Sequence, residues 1–466
     1  MTRAALLLVL ALPARAQPKD PWVHLTSRNF ELFTTAGERS GRDLILHFEQ
    51  VRSFFTQAFG SRLAAAKPAR IIAFHSEKEY RPYRPSDTAT AFYQAGAEHD
   101  FIVMESAARE QYEVAVHEFT HLLIHQSNQL VPVWLNEGMA DLYSNLQPSG
   151  GRIVVGNPIE GRVETLLHER WIDLRALVEV KHDSPLYSER SKAGMFYAEC
   201  WALVHMLNLD PAYRPHLQEM VGALKDGAPA AFQKAYGRSI EQVQQDLRGY
   251  LTNATIHAAV FEVRLPRTLE APEVESSAAV PARLALAELL ANTPSRLEQA
   301  RAAYLQLARD YPRRWEVEAG LARWEWQQRR SEEALRHFAR AGELGCTDPR
   351  VFLEFARILS YDRRNDEAAR ALEAALRLDA GLDEAHFDLG AAYLRLTRYR
   401  EAVGQLLLVK KVTPSQAPRY FYNLAYASFK LGDMAKARAF LEKGRPYASN
   451  PEEKTQLERL SQAVGK

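Results

Sequence analysis

The chain has 466 residues, with 59 lysines and arginines against 58 aspartates and glutamates, and 47% of its residues are hydrophobic. This composition is typical of a folded globular protein and excludes a disordered or fibrous chain. Because the length exceeds what one core usually supports, we expect two or three domains. The net charge of +1 predicts no nucleic-acid partner. With only two cysteines, a disulfide framework is excluded.

The first sixteen residues, MTRAALLLVLALPARA, have the layout of a secretory signal peptide. Arg3 precedes the apolar run Ala4–Leu12, and small residues precede a predicted cleavage site just before Gln17. The alternative is an ordinary N-terminus, since the charged region is very short. The run is too short to cross a bilayer, and no other stretch approaches the roughly 18 apolar residues of a spanning helix. We therefore predict an exported protein, periplasmic or extracellular, with no membrane span.

Short strands and helices are predicted to alternate after the signal peptide. Period-two patterns and β-branched or aromatic residues predict strands at 22–25, 30–34, 70–74, 91–94 and 101–104. The last two are expected to be edge strands of the same sheet. Helical periodicity predicts helices over 41–59 and 110–125.

The second of these helices, Glu110–His125, is apolar on most faces and should therefore be buried. It nevertheless carries His117, Glu118 and His121 in the string VAVHEFTHLLIH. The two histidines are four residues apart, so they share a helical face with Cβ atoms roughly 5–6 Å apart. Two imidazole nitrogens can then meet one Zn²⁺ at about 2.0–2.1 Å. Glu118 lies about 100° round the helix, where it can act as general base on a zinc-activated water.

The alternative interpretation is that His117 and His121 are core histidines whose ring nitrogens form hydrogen bonds with the backbone. Burial of both histidines together with Glu118 would cost folding free energy if no metal were bound, so the metal interpretation is favoured. His125 is eight residues from His117, about 12 Å along the axis, and is not expected to be a ligand.

A second predicted helix begins in VWLNEGMADLY, after residues 126–132 turn the chain. Glu137 follows His121 by sixteen positions, which lets an antiparallel helix return its carboxylate to the same metal. Two histidines, one glutamate and a water form the open tetrahedral site of catalytic zinc. Asp141 lies one turn further on, where it could accept a hydrogen bond from a ligand histidine or remain a surface acid. Gly138 is expected to allow the two helices to pack closely.

The motifs HEFTH and WLNEGMAD together resemble those of gluzincin metallopeptidases, in particular the peptidase MA-like domains of exported bacterial proteins. The resemblance extends over most of residues 22–255, including WVHLTSRNFELFTT and AFYQAGAEHDFIVM. It implies an α+β zincin-like catalytic domain with His117, His121 and Glu137 as zinc ligands and Glu118 as base.

Proteins of this type also use a tyrosine or histidine to hydrogen-bond the oxyanion formed during peptide hydrolysis. The resemblance points to Tyr197, in SKAGMFYAECWALVHML, because of its distance beyond Glu137. Tyr187 and His205 are rivals for this role.

The C-terminal part of the chain repeats every 34 or 35 residues. Aligned alanines mark the repeats at Ala300, Ala334, Ala368, Ala402 and Ala437. Small residues stand twelve positions before the last four, at Ala322, Ala356, Gly390 and Ala425. This period resembles that of the tetratricopeptide repeat, which implies an all-α solenoid of helical hairpins. The concave face of such an array often binds peptides or proteins, so we expect a protein partner there.

These patterns predict four segments: a signal peptide (1–16), a metallopeptidase domain (17–265), a linker (266–280) and about five repeats with a closing helix (281–466). The linker is inferred from PRTLEAPEVESSAAVP, which has three prolines and no periodicity. The predicted function is zinc-dependent hydrolysis of a peptide or protein substrate. The alternative is a non-catalytic repeat scaffold with a structural or vestigial metal domain.

Overall fold

The computed structural model describes residues 21–60, 69–96, 99–127, 131–188, 190–253, 258–269, 273–276 and 278–465. The predicted signal peptide lies outside these residues. The chain divides into two units, Met1–Ala282 and Arg283–Lys466, which we call the first unit and the repeat unit.

The strands of the first unit form two sheets. They are β1 (Val23–Thr26), β2 (Phe30–Thr34), β3 (Ala69–Ala73), β4 (Ala91–Gln94), β5 (Asp100–Met104), β6 (Gln147–Ser149), β7 (Arg152–Val155), β8 (Ala259–Glu262) and β9 (Glu273–Ser276). The larger sheet has the order β4-β5-β3-β2-β1-β9. In it β2, β3 and β5 are parallel, and the other neighbours pair antiparallel. The smaller sheet, β6-β7-β8, is antiparallel.

Two strands differ from their prediction. β5 is an interior strand rather than an edge, because Ile102 pairs with Ile71 of β3 on one side and with Tyr93 of β4 on the other. All of its residues are buried, as expected for a continuous apolar run between two neighbours. The segment interpreted as a linker contains β9, whose Val274 pairs with Leu25 of β1. Backbone pairing at a sheet edge thus gives regular structure to a segment whose composition shows no periodicity.

The helices of the first unit pack on and beside the larger sheet. They are α1 (Glu38–Phe59), α2 (Glu77–Tyr80), α3 (Tyr112–Gln126), α4 (Val133–Ser144), α5 (Glu160–His168), α6 (Leu174–Val178), α7 (Pro185–Ser188), α8 (Arg190–Leu209), α9 (Leu217–Ala223), α10 (Ala228–Tyr236) and α11 (Ile240–Asn253). Phe30 of β2, Phe48 of α1 and Phe119 of α3 have ring centroids 5.4–5.6 Å apart. This aromatic contact fixes α3 against the sheet and α1.

Gly138 brings α4 close to α8 rather than to α3, contrary to the prediction. A Cβ atom at this position would lie 2.4 Å from the carbonyl oxygen of Cys200 and 2.4 Å from a methyl group of Val204. Neither contact is sterically possible, so α4 depends on glycine to reach this position. The contact holds the residues of α4 between α3 on one side and α8 on the other.

The repeat unit is built from antiparallel helix pairs. Its helices are α12 (Ala279–Ala291), which spans the division between the units, α13 (Leu297–Asp310), α14 (Trp315–Gln327), α15 (Ser331–Glu343), α16 (Pro349–Tyr361), α17 (Asn365–Leu378), α18 (Asp383–Arg395), α19 (Tyr399–Leu408), α20 (Ala417–Lys430), α21 (Met434–Gly444) and α22 (Pro451–Gly465). The successive pairs from α14–α15 to α20–α21 pack as hairpins, and α22 packs on the last one. The five aligned alanines are fully buried, as the repeat pattern predicts.

Each of these hairpins turns through a residue with positive φ. These residues are Arg329, Arg363, Thr397 and Gly432, with φ of 59°, 62°, 60° and 81°. The N–H of the following residue donates to the carbonyl five residues back, as Arg330 does to Glu325 at 3.0 Å. This bond closes the first helix of the pair as in a Schellman motif. Gly432 adopts the conformation freely, whereas the two arginines and the threonine hold a sparsely populated one.

Among the described residues, none of the helices has both the length and the apolar character needed to cross a bilayer.

Candidate metal centre

The three residues predicted as metal ligands converge between α3 and α4. His117 and His121 lie on one face of α3, and Glu137 lies on α4. The Nε2 atoms of the two histidines are 3.1 Å apart, and Oε2 of Glu137 is 3.5 Å from each of them. Donors bound at about 2.0–2.1 Å to a tetrahedral ion would lie roughly 3.3–3.4 Å apart. The spacing of the three atoms therefore fits a single ion of zinc size.

The other ring nitrogens of both histidines are engaged by α4. Nδ1 of His117 is 2.9 Å from Oδ1 of Asp141, and Nδ1 of His121 is 3.1 Å from Oδ1 of Asn136. An oxygen acceptor at Nδ1 fixes the tautomer that leaves the Nε2 lone pair available for a metal. Both histidines are thus oriented for ligation by side chains of the helix that carries Glu137. Asp141 was predicted for this position, whereas Asn136 was not.

Asp141 is itself held by Arg162 of α5, a residue that the sequence did not indicate. Nε of Arg162 donates to Oδ2 of Asp141 at 2.8 Å, and Nη2 lies 3.4 Å from Oδ1. The same guanidinium lies over the ring of Tyr197, 5.1 Å from its centroid. Because Asp141 is almost fully buried, the fork of Arg162 compensates a carboxylate charge that water cannot reach.

Glu118 lies beside the cluster without joining it. Its Oε2 accepts a hydrogen bond from the backbone N–H of Tyr93, in edge strand β4, at 2.8 Å. Burial raises the pKa of Glu118, although the charges of His117 and His121 act in the opposite direction. A carboxyl group with a raised pKa is suited to accept and release a proton near neutral pH.

The acids and imidazoles of the cluster shift one another's pKa values. Burial opposes the charged form of His117, but hydrogen bonds to Asp141 and Glu137 raise its pKa to about 10. Burial would raise the pKa of Glu137, but its hydrogen bonds with His117 and His121 hold that pKa well below the usual range. The carboxylates and imidazoles thus share protons in this small space. A divalent cation would replace those protons and supply the same compensation of charge.

The candidates for the oxyanion contact have different partners. The hydroxyl of Tyr187 donates to Oε1 of Glu137 at 3.1 Å, and the ring of Tyr197 lies 6.1 Å from that of Tyr187. Burial and the charge of Glu137 raise the pKa of both tyrosines, so both hydroxyls keep their protons at neutral pH. His205 is engaged elsewhere, since its ring nitrogens lie 2.8 Å from the hydroxyl of Tyr250 and 2.9 Å from the carbonyl of Gly156.

His125 also lies apart from the cluster. It is exposed, and its Nδ1 lies 2.9 Å from the hydroxyl of Tyr93. Among the described residues that could hold an ion, His117, His121 and Glu137 form a group and His125 does not join it.

Comparison with known proteins supports the repeat array through one of its hairpins. The family model of the tetratricopeptide repeat matches residues 418–444, which correspond to the hairpin α20–α21. Proteins with such repeats commonly bind peptides or proteins on a concave face, so a protein-interaction role follows for the repeat unit. A comparison with curated protein sequences finds no match.

Solved structures with low overall similarity include those of YrrB, PilF and PilW. YrrB, described as a tetratricopeptide repeat protein with an unusual peptide-binding site, is 21% identical, with a TM-score of 0.35, over 38% of this chain and 91% of YrrB. PilF of Pseudomonas aeruginosa is 15% identical, with a TM-score of 0.33, over 54% of this chain and 98% of PilF. PilW, a type IV pilus biogenesis factor, is 16% identical, with a TM-score of 0.33, over 40% of this chain and 86% of PilW.

The contacts of Asp141 predict a weakened metal site in the variant Asp141→Asn. The substitution keeps the shape of the side chain but removes the charge that faces both His117 and Arg162. We expect zinc affinity, measured by competition with a chromophoric chelator, to fall roughly 10–100-fold. Asp183→Asn, at an exposed position, is the matched control and should bind zinc as the parent does. Equal affinity of Asp141→Asn and the parent would contradict this role.

Proposed function

We propose that the first unit is an α+β zincin-like catalytic domain of the gluzincin type and that the protein is an exported zinc metallopeptidase. The observation that carries this proposal is the convergence of His117, His121 and Glu137 with Glu118 beside them. Two imidazoles and one carboxylate are a ligand set typical of catalytic zinc, which keeps a fourth position open. A residue with the chemistry of a general base stands one position from the first ligand.

Zn²⁺, when bound, would polarise a substrate carbonyl and lower the pKa of a water molecule towards neutrality. The side chains then have separate tasks. Glu118 accepts the proton of the attacking water and passes it to the nitrogen of the leaving amine. Asp141 and Asn136 keep the Nδ1 protons of the two histidines, so that both rings hold their orientation. His117 and Arg162 together keep Asp141 ionised, and Arg162 fixes its position.

A tyrosine hydroxyl would stabilise the negative charge that develops on the carbonyl oxygen of the substrate. We assign this role to Tyr197, because the proton of Tyr187 is already donated to Glu137. Tyr187 is then a positioning residue, which restrains the carboxylate of the third ligand. The rings of Tyr187 and Tyr197 are neighbours, so a movement of one ring changes the packing around the other.

The repeat unit would bring a protein to the peptidase. Its hairpins form the kind of array that binds an extended segment of a partner. In this proposal the substrate is a protein or peptide, and the repeats bind that substrate or a protein that delivers it.

The second candidate function is a non-catalytic scaffold. The match of residues 418–444 to the tetratricopeptide repeat favours an interaction role, which does not require catalysis. In this interpretation the three ligands would hold a structural or vestigial metal. The presence of Glu118 beside the ligands favours the enzyme, because a structural site has no need of a base.

The role of Glu118 predicts that Glu118→Gln binds zinc but does not hydrolyse peptides. The amide cannot accept the proton of the attacking water, so turnover of casein should fall by about 10²–10⁴-fold. Glu113→Gln, at an exposed position of the same helix, is the matched control and should retain parental turnover. Parental turnover by Glu118→Gln, with zinc bound, would exclude this mechanism.

The two tyrosines are expected to differ in kinetic effect. Tyr197→Phe should lower kcat by about 10²–10³-fold and leave zinc affinity unchanged, because it removes a donor that acts in the transition state. Tyr187→Phe should instead weaken zinc binding, because Glu137 loses a hydrogen bond. Measurement of kcat, KM and zinc affinity for both variants separates these roles. If Tyr197→Phe keeps its kcat while Tyr187→Phe loses it, the assignment is reversed.

A further inference from the structure

Four arginines line one cleft of the first unit, apart from the candidate metal ligands. The cleft has a volume of about 950 Å³ and lies between the turn after β1, the second half of α1 and residues 264–269. Its arginines are Arg28, Arg52, Arg264 and Arg267, and its one acidic residue is Glu49. The whole chain is almost neutral, with 59 basic against 58 acidic side chains. The cleft is therefore a local excess of positive charge.

Glu49 offsets only one of these four positive charges, and its oxygens are held by the turn after β1. Oε1 accepts hydrogen bonds from the hydroxyl of Ser27 at 2.7 Å and from the backbone N–H of Asn29 at 3.0 Å. Oε2 accepts one from Nδ2 of Asn29 at 2.7 Å. The carboxylate of Glu49 thus serves to hold the wall of the cleft.

Three of the arginines have no counterion in the described part of the chain. The guanidinium groups of Arg28, Arg264 and Arg267 form no ion pair or hydrogen bond with any described residue. Elsewhere such groups are commonly paired, as Arg70 is with Glu31 at 2.6 Å and Arg323 with Glu354 at 2.6 Å. Exposed guanidinium groups around one space repel one another weakly in water, and an anion bound among them would replace that repulsion with attraction.

The fourth arginine, Arg52, is buried in the wall of the cleft, with 6% of its surface exposed. A buried guanidinium is always charged, and its field is weakly screened. It thus adds to the attraction that an anion entering the cleft would experience.

The wall formed by residues 264–269 is fixed to α1. Ser53 and Gln57 donate to the carbonyl of Arg264 at 3.0 and 3.1 Å, and the N–H of Arg264 donates to Gln57 at 3.0 Å. Gln50 donates to the carbonyl of Pro266 at 2.9 Å. The backbone that carries two of the arginines is therefore held in place before a ligand arrives, which reduces the entropic cost of binding.

We propose that this cleft binds a ligand that carries phosphate groups, supplied by a free phosphorylated molecule or by the headgroup of a lipid. A phosphate group concentrates negative charge and presents several oxygens, which guanidinium forks bind in pairs. The site is independent of the metal centre and of the proposed peptidase activity.

The test uses the full chain with pyrophosphate as the soluble probe and calorimetry as the measurement. Phosphatidylcholine vesicles with and without phosphatidic acid provide the lipid arm, and a hexaglutamate peptide provides a carboxylate probe. The test variants are Arg264→Gln/Arg267→Gln and, separately, Arg28→Gln. Because these side chains are exposed, the variants should unfold at the parental temperature. Arg39→Gln/Arg42→Gln, on α1 outside the cleft lining, is the matched control.

The proposal predicts that pyrophosphate or phosphatidic acid vesicles bind the parent and the control equally. In the double cleft variant that binding should weaken at least about tenfold, or about 1.4 kcal/mol. Binding to vesicles alone would assign the phosphate to a lipid, and binding to pyrophosphate would assign it to a soluble molecule. The proposal is overturned if none of the phosphate probes binds, if the cleft variants bind as the parent does, or if hexaglutamate binds more tightly than pyrophosphate.

Discussion

The first unit depends on one constraint, which is the compensation of charge inside a mostly apolar helix pair. Phe119 and its apolar neighbours bury α3 against the sheet and α1, while His117, Glu118 and His121 stand on the same helix. Polar and ionisable groups placed there are costly unless each has a partner. α4 supplies those partners, since Glu137 contacts both histidines, Asp141 contacts His117 and Asn136 contacts His121. The close approach of α4 to α8 at Gly138 holds these partners in position.

Residues outside the ligand set in turn contact the acidic residues of the cluster. Arg162 faces Asp141 and stacks on Tyr197, and Tyr187 donates to Glu137. Each contact restrains a group that would otherwise be free to rotate or to change its protonation state. In our proposal, a zinc ion at the centre completes the arrangement and converts it into a catalytic site. In a separate cleft of the same chain, Arg28, Arg264 and Arg267 have no counterion among the described residues, and there we infer an external anion.

Local spacing in the sequence predicted part of this site. The separation of His117 and His121 by one helical turn determines that they share a face, so their proximity follows from helix geometry alone. Asn136 and Arg162 could not be found in this way, and Tyr187 was named only as a rival for the oxyanion contact, not as a partner of Glu137. Their contacts depend on how α4, α5 and α7 pack, and none of them has a distinctive spacing from the histidines. The backbone bond from Tyr93 to Glu118 is similarly set by the packing of β4 against α3.

The repeat unit was more predictable, because its contacts recur between neighbouring helices at a fixed period. Buried alanines such as Ala334 and Ala368 lie where the pattern places them. The positive φ of Arg329 and Arg363 was not evident, since only Gly432 signals that turn by its residue type. β9 was missed because its residues show no alternation of apolar side chains, and its position depends on pairing with β1.

The most direct test of the account is the metal content of the purified full-length protein, measured by mass spectrometry for the parent and for His117→Ala/Glu137→Ala. A catalytic zinc site predicts about one zinc ion per chain in the parent. It predicts none in the variant, and loss of peptidase activity when a chelator removes the ion from the parent. A parent that binds no transition metal, or a variant that retains the ion, would contradict it.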